Sequence, residues 1–237
     1  MNVSSQPDGI IVPDWELPPN VHAAVTTRGF GNLAVHVGDD PAAVLLRRRL
    51  LQRSLKLPTA VTWLQQQHTN GVLRWPFKSA VADAAYSDLP QSVCAVLTAD
   101  CLPVLCCSDD GNEIAAVHAG WRGLACGVLQ NALASFKTPA ANIRIWIGPS
   151  IGASAFEVGD DVREAFVARD SSNAEHFLSH SGKWLADLAS IAADQCSRSG
   201  VMDITKSGEC TVGNNTNWYS WREEKAAARF ASIIWRN

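Results

Sequence analysis

Short apolar segments rich in β-branched residues alternate along this chain with longer segments of helical periodicity. Continuous apolar runs bounded by turn residues predict β-strands, and they occur at residues 21–27, 61–67, 72–75, 93–98, 104–107, 113–117 and 142–147. Apolar residues spaced three and four apart predict helices, and they occur at residues 41–57, 121–136, 160–168 and 183–199. Near the end of the sequence, the pattern predicts a strand that runs into Trp221-Arg222. It fits either a helix or a strand at residues 230–235.

Turn dipeptides indicate how the strands are connected. Asn70-Gly71 predicts a hairpin between the second and third strands, and Asp110-Gly111 predicts another between the fifth and sixth. Strands and helices are interspersed, without an internal repeat or a low-complexity linker. We therefore expect one domain over residues 1–237. Its class is α/β or α+β, with helices packed against mixed β-sheets.

The composition narrows the function classes. The chain has 237 residues and a mass of 25.5 kDa, and its 20 Lys and Arg against 23 Asp and Glu give a net charge of −3. A nucleic-acid-binding protein usually has a basic surface and a high pI, so this charge balance argues against one. No leader with a basic and then an apolar region is visible, and no segment reaches the roughly 18 uninterrupted apolar residues of a membrane span.

The cysteines indicate the redox compartment. There are seven, an odd number, and Cys94, Cys106 and Cys126 lie inside apolar runs. This usage is typical of reduced, buried thiols and not of a disulfide framework. We therefore expect a cytoplasmic protein that acts without a membrane or nucleic-acid partner.

Three side chains that commonly bind metals follow or end apolar runs. They are His68, Cys101 and His118. Strand ends are rigid positions that can project a side chain into a cleft. If the three residues converge, they form a three-ligand zinc site, which leaves a fourth position for water or substrate as catalytic zinc sites do. They are far apart in sequence and form no local metal motif, so a buried thiol and two unrelated histidines are the alternative.

The same atoms fit a second kind of chemistry. His118 could lower the pKa of the Cys101 thiol and serve as its base. Asp100 precedes Cys101, but adjacent side chains on a strand point to opposite faces, which places Asp100 just outside such a dyad. The spacing alone leaves the zinc site and the thiol nucleophile both open.

The segment HAGWRG combines a strand end, a glycine-containing turn and a helix start. Amide groups at a helix N-terminus near Gly120 favour an anion such as phosphate, and Arg122 adds a positive charge. The spacing matches neither a Walker A loop nor GxGxxG. Arg28, Arg222 and Arg229 could join a substrate site, although each alone is more typical of a solvated surface charge.

Four motifs carry a family resemblance. They read QQQHTNGV, TADCLPVL, AAVHAGWRGLACGVL and IGPSIGASAFEVG, in that order. Together with the N-terminal TTRGFGNLAVHVGDD and the tail SGECTVGNN, they resemble the YfiH family, also called the multicopper polyphenol oxidoreductase laccase-domain family. The resemblance extends over nearly the whole chain. It departs from the family in a shortened segment before HVGDD and in the tail, where Trp221 and alanines within residues 226–228 replace the usual Arg and Thr-Gly.

The resemblance implies a compact α/β sandwich and one zinc ion held by His68, Cys101 and His118. It also implies phosphorolysis of adenosine, inosine, guanosine or methylthioadenosine, together with deamination of adenosine. The expected partners are therefore a small-molecule nucleoside and phosphate, and we expect a monomer or a homodimer. Older descriptions call family members laccases, and some bacterial members are linked to peptidoglycan editing.

The residues discriminate among these activities. A multicopper laccase needs many histidine ligands for several copper ions, and this chain has only six histidines. Copper remains an alternative to zinc at a single Cys-His-His centre because it binds such ligands more tightly. The H-x-E and P-C-x-x-C signature of zinc nucleobase deaminases is absent, so deamination needs a different proton shuttle, for which Asp100 is the candidate.

We therefore predict a zinc-dependent purine nucleoside phosphorylase with adenosine deaminase activity. Asp100, Cys101 and Arg122 are the predicted catalytic residues. The predicted substrate-binding residues are Arg28, Gly120, Arg122, Arg222 and Arg229. The alternatives are a copper-dependent polyphenol oxidase, a cysteine-dependent hydrolase of peptidoglycan precursors, and a metal-binding regulatory module without turnover.

Overall fold

The structure is a computed structural model that describes residues 8–225 and 227–237. In these residues the strands are β1 (Ile10–Ile11), β2 (Val21–Thr26), β3 (Val72–Arg74), β4 (Ala84–Ser87), β5 (Val93–Thr98), β6 (Leu102–Ser108), β7 (Ile114–Ala119), β8 (Ile143–Ile147), β9 (Glu157–Val158), β10 (Phe177–His180), β11 (Lys183–Ala186), β12 (Asp203–Lys206) and β13 (Phe230–Arg236). The helices are α1 (Pro41–Ser54), α2 (Trp121–Cys126), α3 (Val128–Ala134), α4 (Asp160–Val167), α5 (Leu188–Arg198) and α6 (Trp221–Glu224). None of these helices is long and apolar enough to cross a membrane.

The strands form three sheets in the part of the chain that the structure describes. A four-stranded antiparallel sheet has the order β1-β2-β13-β5. A six-stranded mixed sheet has the order β12-β8-β6-β7-β4-β3, in which the two edge pairs are parallel and the inner pairs antiparallel. A small antiparallel sheet has the order β10-β11-β9. The predicted fold class, mixed sheets with helices packed against them, is confirmed.

The two larger sheets pack against each other. Val96 of β5 and Phe230 of β13 lie in one apolar cluster with Leu105 of β6 and Ala116 of β7. Successive side chains on a strand point to opposite faces, so the neighbouring residue of β5, Ala95, packs on the other side. It joins a second cluster that includes residues of α1.

The outer face of the six-stranded sheet is covered by helices. Val104 of β6 and Val117 of β7 pack in one cluster with Leu129 of α3 and Ile191 of α5. The central strands of this sheet are therefore buried on both faces. This burial explains why they read as continuous apolar runs and not as alternating ones.

The predicted hairpin at Asn70-Gly71 is wrong. Residues 61–68 form an irregular loop in place of a strand, apart from a single bridge between Gln65 and Val81, and β3 pairs in parallel with β4. A side chain takes over the pairing: the Gln66 amide nitrogen donates to the Leu97 carbonyl oxygen at 2.7 Å, and its oxygen accepts from the Leu97 amide at 2.8 Å. Gln66 thereby satisfies the open edge of β5.

Three further elements differ from the predicted ones. The helix predicted at residues 121–136 is broken at Gly127, which has φ of 90° and ψ of 35° and separates α2 from α3. The first residues of the helix predicted at 183–199 form β11, and α5 begins only after its capping residue, Asp187. Trp221 begins α6 in place of ending a strand, while residues 230–236 form strand β13.

The remaining predicted elements are confirmed to within a few residues. They include the strands β2, β5 and β8, the hairpin of β6 and β7, and the helices α1 and α4. Helix α1 begins as its sequence predicts, because the Asp40 side chain accepts a hydrogen bond from the Ala42 amide and Pro41 occupies the first helical position.

Candidate metal centre and its pocket

The candidate metal centre lies where the chain passes from the four-stranded sheet to the six-stranded one. Cys101 lies in the short connection between β5 and β6. His118 lies on β7, opposite Pro103 of β6. His68 lies in the irregular loop that runs beside β5, with φ of 60°. Three distant segments of the sequence therefore meet at one edge of the sandwich.

The three side chains converge closely enough to share one metal ion. The ligand atoms of His68, Cys101 and His118 all lie within 4.8 Å of one another. The Cys101 sulfur is 3.6 Å from Nε2 of His68, and a tetrahedral zinc with ordinary Zn–S and Zn–N bonds would place these atoms about 3.6 Å apart. The donor set suits zinc and also suits copper, so it fits a metal without selecting between the two.

The charge state of the Cys101 thiol favours metal binding, whereas His118 must lose its proton before it can bind a metal. Burial opposes ionisation of the Cys101 thiol, but His118 and His68 outweigh burial and lower the pKa of the thiol. Burial opposes protonation of His118, but Cys101 and Asp83 outweigh it and raise the pKa of the imidazole. The thiolate is the form of cysteine that binds metals, and the site favours that form.

Asp83, which precedes β4, organises this centre and was missed by the sequence analysis. It is fully buried. One carboxylate oxygen contacts Nδ1 of His118 at 2.8 Å and accepts the His68 amide at 3.0 Å. The other accepts the amide and the hydroxyl of Thr69 at 2.7 and 2.8 Å. These hydrogen bonds outweigh burial and hold the pKa of Asp83 well below its usual range.

Gly120 lies directly behind the ligands. A Cβ atom at this position would lie 2.8 Å from Cδ2 of His68 and 3.1 Å from the Cys101 sulfur. Both distances are shorter than ordinary van der Waals contacts. Glycine is therefore required here so that the backbone can approach the ligands, and the substrate contact expected of Gly120 stays a prediction.

A pocket opens beside the ligands. Besides the ligands themselves, its wall consists of His36, Leu64, Gln66, Leu97, Thr98, Ala99 and Arg229. Of the four arginines that the sequence analysis associated with substrate, Arg229 is the one in this wall. His36 and Gln66 were not predicted. The signal available for Gln66 was a run of three glutamines at the end of an apolar segment.

The other three arginines lie elsewhere. Arg122 is exposed, and its guanidinium stacks over the Trp121 ring at 4.2 Å. Arg28 donates to the Trp218 carbonyl oxygen and pairs with Glu224. The guanidinium of Arg222 donates to the carbonyl oxygen of residue 157 at 3.1 Å.

Asp100 is buried, with φ of 77°, and its carboxylate is directed toward the tail of the chain. One oxygen accepts the Thr211 hydroxyl at 2.6 Å, and the other accepts the backbone amide of Arg222, at the start of α6, also at 2.6 Å. The Asp100 carbonyl oxygen accepts the Ile151 amide at 2.9 Å. Asp100 thus ties the connection that carries Cys101 to three other segments.

Comparison with known proteins gives consistent similarities. The sequence profile of a family described as multi-copper polyphenol oxidoreductase laccase matches residues 23–237. The chain is 43% identical to the purine nucleoside phosphorylase YfiH of Escherichia coli, over 95% of this chain and 98% of that protein. It is 40% identical to a purine nucleoside phosphorylase of Haemophilus influenzae, with 95% and 98% covered.

The fold is similar to that of solved structures. A crystal structure of a Neisseria meningitidis protein superposes with a TM-score of 0.92 at 40% identity, covering 97% of this chain and 99% of that one. The YfiH protein of Bacillus licheniformis shares the fold, with a TM-score of 0.86 at 22% identity. On the strength of the family profile and these full-length relatives, the chain belongs to the YfiH family, the laccase-domain family of polyphenol oxidoreductases.

Proposed function

We propose that this chain is a zinc-dependent purine nucleoside phosphorylase that also deaminates adenosine. The observation that carries the proposal is the convergence of His68, Cys101 and His118 at a pocket that also contains Arg229. The names of relatives at 40–43% identity support the phosphorylase activity. Phosphorolysis breaks the bond between C1′ of the ribose and the purine nitrogen and forms a bond between C1′ and a phosphate oxygen, so both substrates must enter one pocket.

The residues around the centre position the three ligands. A zinc ion held by three protein ligands supplies Lewis acidity. Asp83 engages Nδ1 of His118 and leaves Nε2 as the ligand nitrogen, which is the usual arrangement of a carboxylate behind a metal-binding histidine. Gln66 fixes the loop of His68 against Leu97 of β5. The ligand geometry therefore rests on buried and partly buried hydrogen bonds and not on the loop alone.

For Asp100 we propose a positioning role in place of the proton shuttle expected from the sequence. Both of its carboxylate oxygens accept hydrogen bonds, from the Thr211 hydroxyl and from the Arg222 amide. A carboxylate engaged in this way holds the segment of Cys101 in place. The same engagement leaves it poorly placed to pass a proton to a substrate.

A product analysis tests the proposed function. The zinc-loaded protein is incubated with inosine or adenosine, with and without phosphate, and the products are separated by chromatography. We expect hypoxanthine or adenine together with ribose 1-phosphate only when phosphate is present, and conversion of adenosine to inosine in either case. Cys101→Ser should abolish both reactions, whereas Cys126→Ser, which changes an exposed thiol, should leave them intact.

Other outcomes select the alternatives. If the protein with stoichiometric zinc leaves both nucleosides unchanged, the phosphorylase proposal fails. Turnover of a peptidoglycan precursor that survives chelation of the metal and disappears in Cys101→Ser identifies a cysteine hydrolase. Oxidation of a polyphenol by the copper-loaded protein identifies the laccase activity. Several copper ions need many histidines, however, and the other cluster of metal-ligating side chains in the described residues, Glu175, His176 and Asp194, contains a single histidine.

A further inference from the structure

Phosphorolysis requires an anion-binding wall in the same pocket as the nucleoside. The glycine-containing turn before α2 does not provide it. Helix α2 has only six residues, Gly120 is packed against the ligands, and Arg122 is exposed over Trp121 and is not part of the pocket wall. The positively charged group for phosphate must therefore come from another segment.

Arg229 and His36 are the side chains of the pocket wall, apart from the ligand histidines, that carry or can acquire a positive charge. Arg229 precedes β13 and is only partly exposed. Burial lowers the pKa of its guanidinium, while the nearby Cys101 and Asp100 act in the opposite direction. Nη1 of Arg229 donates to the carbonyl oxygens of residues 227 and 228, which fixes the position of the guanidinium. A positive charge that has lost part of its water attracts an anion more strongly than a solvated one.

Hydrogen bonds connect the two segments that carry Arg229 and His36. The side-chain oxygen of Asn32, which is 4% exposed, accepts the backbone amides of Arg229 and Ala34, each at 2.9 Å. The Leu33 amide donates back to the Arg229 carbonyl oxygen at 3.1 Å. Asn32 thereby holds the loop that carries His36 against the segment that carries Arg229.

We propose that Arg229 and His36 form the phosphate-binding wall of the pocket, with Asn32 as the residue that positions it. The inference rests on the proposed phosphorylase activity and locates the second substrate of that reaction. It assigns phosphate to the wall formed by the N-terminal loop and the segment before β13, and it leaves Arg122 outside the reaction.

Steady-state kinetics on the full-length, zinc-loaded protein test the assignment. Rates are measured against phosphate at saturating inosine and against inosine at saturating phosphate. Arg229→Lys keeps the charge but loses the hydrogen bonds that fix its position in the wall, and it should raise KM for phosphate at least about tenfold while KM for inosine stays within about twofold. His36→Gln and Asn32→Ala should raise KM for phosphate by smaller factors. Arg163→Lys, which alters an arginine stacked on Trp184, is the matched control.

A binding readout separates this inference from the proposed function. Inorganic phosphate alone should raise the unfolding temperature of the wild-type protein and of Arg163→Lys, and should raise that of Arg229→Lys much less. If phosphate stabilises wild type more than Arg229→Lys but the protein turns over no nucleoside, the phosphorylase activity is overturned and the phosphate-binding wall is retained. If Arg122→Lys raises KM for phosphate and Arg229→Lys does not, or if phosphate stabilises wild type and Arg229→Lys equally, the wall is wrongly placed.

Discussion

Replacing Asp83 with Asn is the most direct test of how the centre is held. The change keeps the size of the side chain, removes its charge and turns one acceptor into a donor. Oδ1 of Asp83 faces Nδ1 of His118 and the His68 amide, and Oδ2 faces the amide and hydroxyl of Thr69. In the better orientation, the new amide nitrogen faces the Thr69 hydroxyl, which can turn to accept from it. The backbone amides of Thr69 and Gln67, which both donate to Oδ2, lose their acceptor.

The magnitude follows from these contacts. Each of these partly buried backbone amides costs at most about 1–3 kcal/mol when it loses its acceptor, the Gln67 amide at 3.3 Å less than the Thr69 amide at 2.7 Å. The remaining hydrogen bonds lose their ionic component. We expect Asp83→Asn to lower the free energy of unfolding by about 2–4 kcal/mol. Loss of the carboxylate behind a metal-binding histidine weakens metal affinity about 10–100-fold, so zinc binding should weaken by that factor.

Zinc affinity is measured by competition with a chromophoric chelator, and stability by urea unfolding of the zinc-loaded and metal-free protein. Asp88→Asn is the control, because Asp88 pairs with Lys137 and lies outside the pocket. Thr69→Val should give an intermediate loss of stability, since it removes the hydroxyl contacts with Asp83 and with the Gly71 amide but leaves the carboxylate in place. Equal zinc affinities for Asp83→Asn and Asp88→Asn would refute the argument that Asp83 organises the ligands.

Three further changes test other parts of the structure. Gly120→Ala should weaken zinc binding at least about tenfold in the same competition assay, because its Cβ would lie 2.8 Å from the His68 ring. Gly29→Ala, where a Cβ has ordinary contacts, should leave zinc affinity unchanged, and equal affinities of the two variants would contradict the close approach. Glu113→Gln should lower the free energy of unfolding by about 2–4 kcal/mol at pH 7, because the buried carboxylate accepts several hydrogen bonds that outweigh burial and lower its pKa. In urea unfolding, the difference from wild type should fade as the pH falls below 4.5. A difference that does not depend on pH would contradict this origin. Gly127→Ala should lower the free energy of unfolding in urea by about 1–2 kcal/mol, because φ at this position is 90° and the Cβ would contact the Arg169 guanidinium. An unchanged stability would show that the helix break tolerates a side chain.

The parts of the fold that the sequence predicts are those governed by local rules. Helix α1 has a capping Asp40 followed by Pro41, and the hairpin of β6 and β7 has its turn residues between two apolar runs. Gly127 was also a local signal, a glycine inside a helical pattern, and it marks the break between α2 and α3. The loop of residues 61–68 could not be predicted in this way, because its shape depends on Gln66 pairing with a strand distant in sequence.

The residues of the candidate site likewise fall into those that local sequence identifies and those that only the folded structure identifies. His68, Cys101 and His118 can be selected from the sequence because few residue types bind metals, and the family motifs surround them. Asp83 offers only a weak signal, an isolated acidic residue in a run of small apolar residues, and its role appears only when three segments meet around its carboxylate. Arg122 illustrates the converse: its local context suggests an anion site, but its side chain lies over Trp121 and outside the pocket.

The position of β13 has a consequence for the order of folding. β13 lies between β2 and β5 in the four-stranded sheet, although it follows both by most of the length of the sequence. Pairing between distant segments is slow because the intervening chain must first be ordered, whereas the hairpin of β6 and β7 needs only a short loop. We therefore expect Cys101 and His118 to approach each other early in folding and Arg229 to arrive last. In terms of the proposed function, a nascent or partly folded chain would form the candidate metal centre before the proposed phosphate wall.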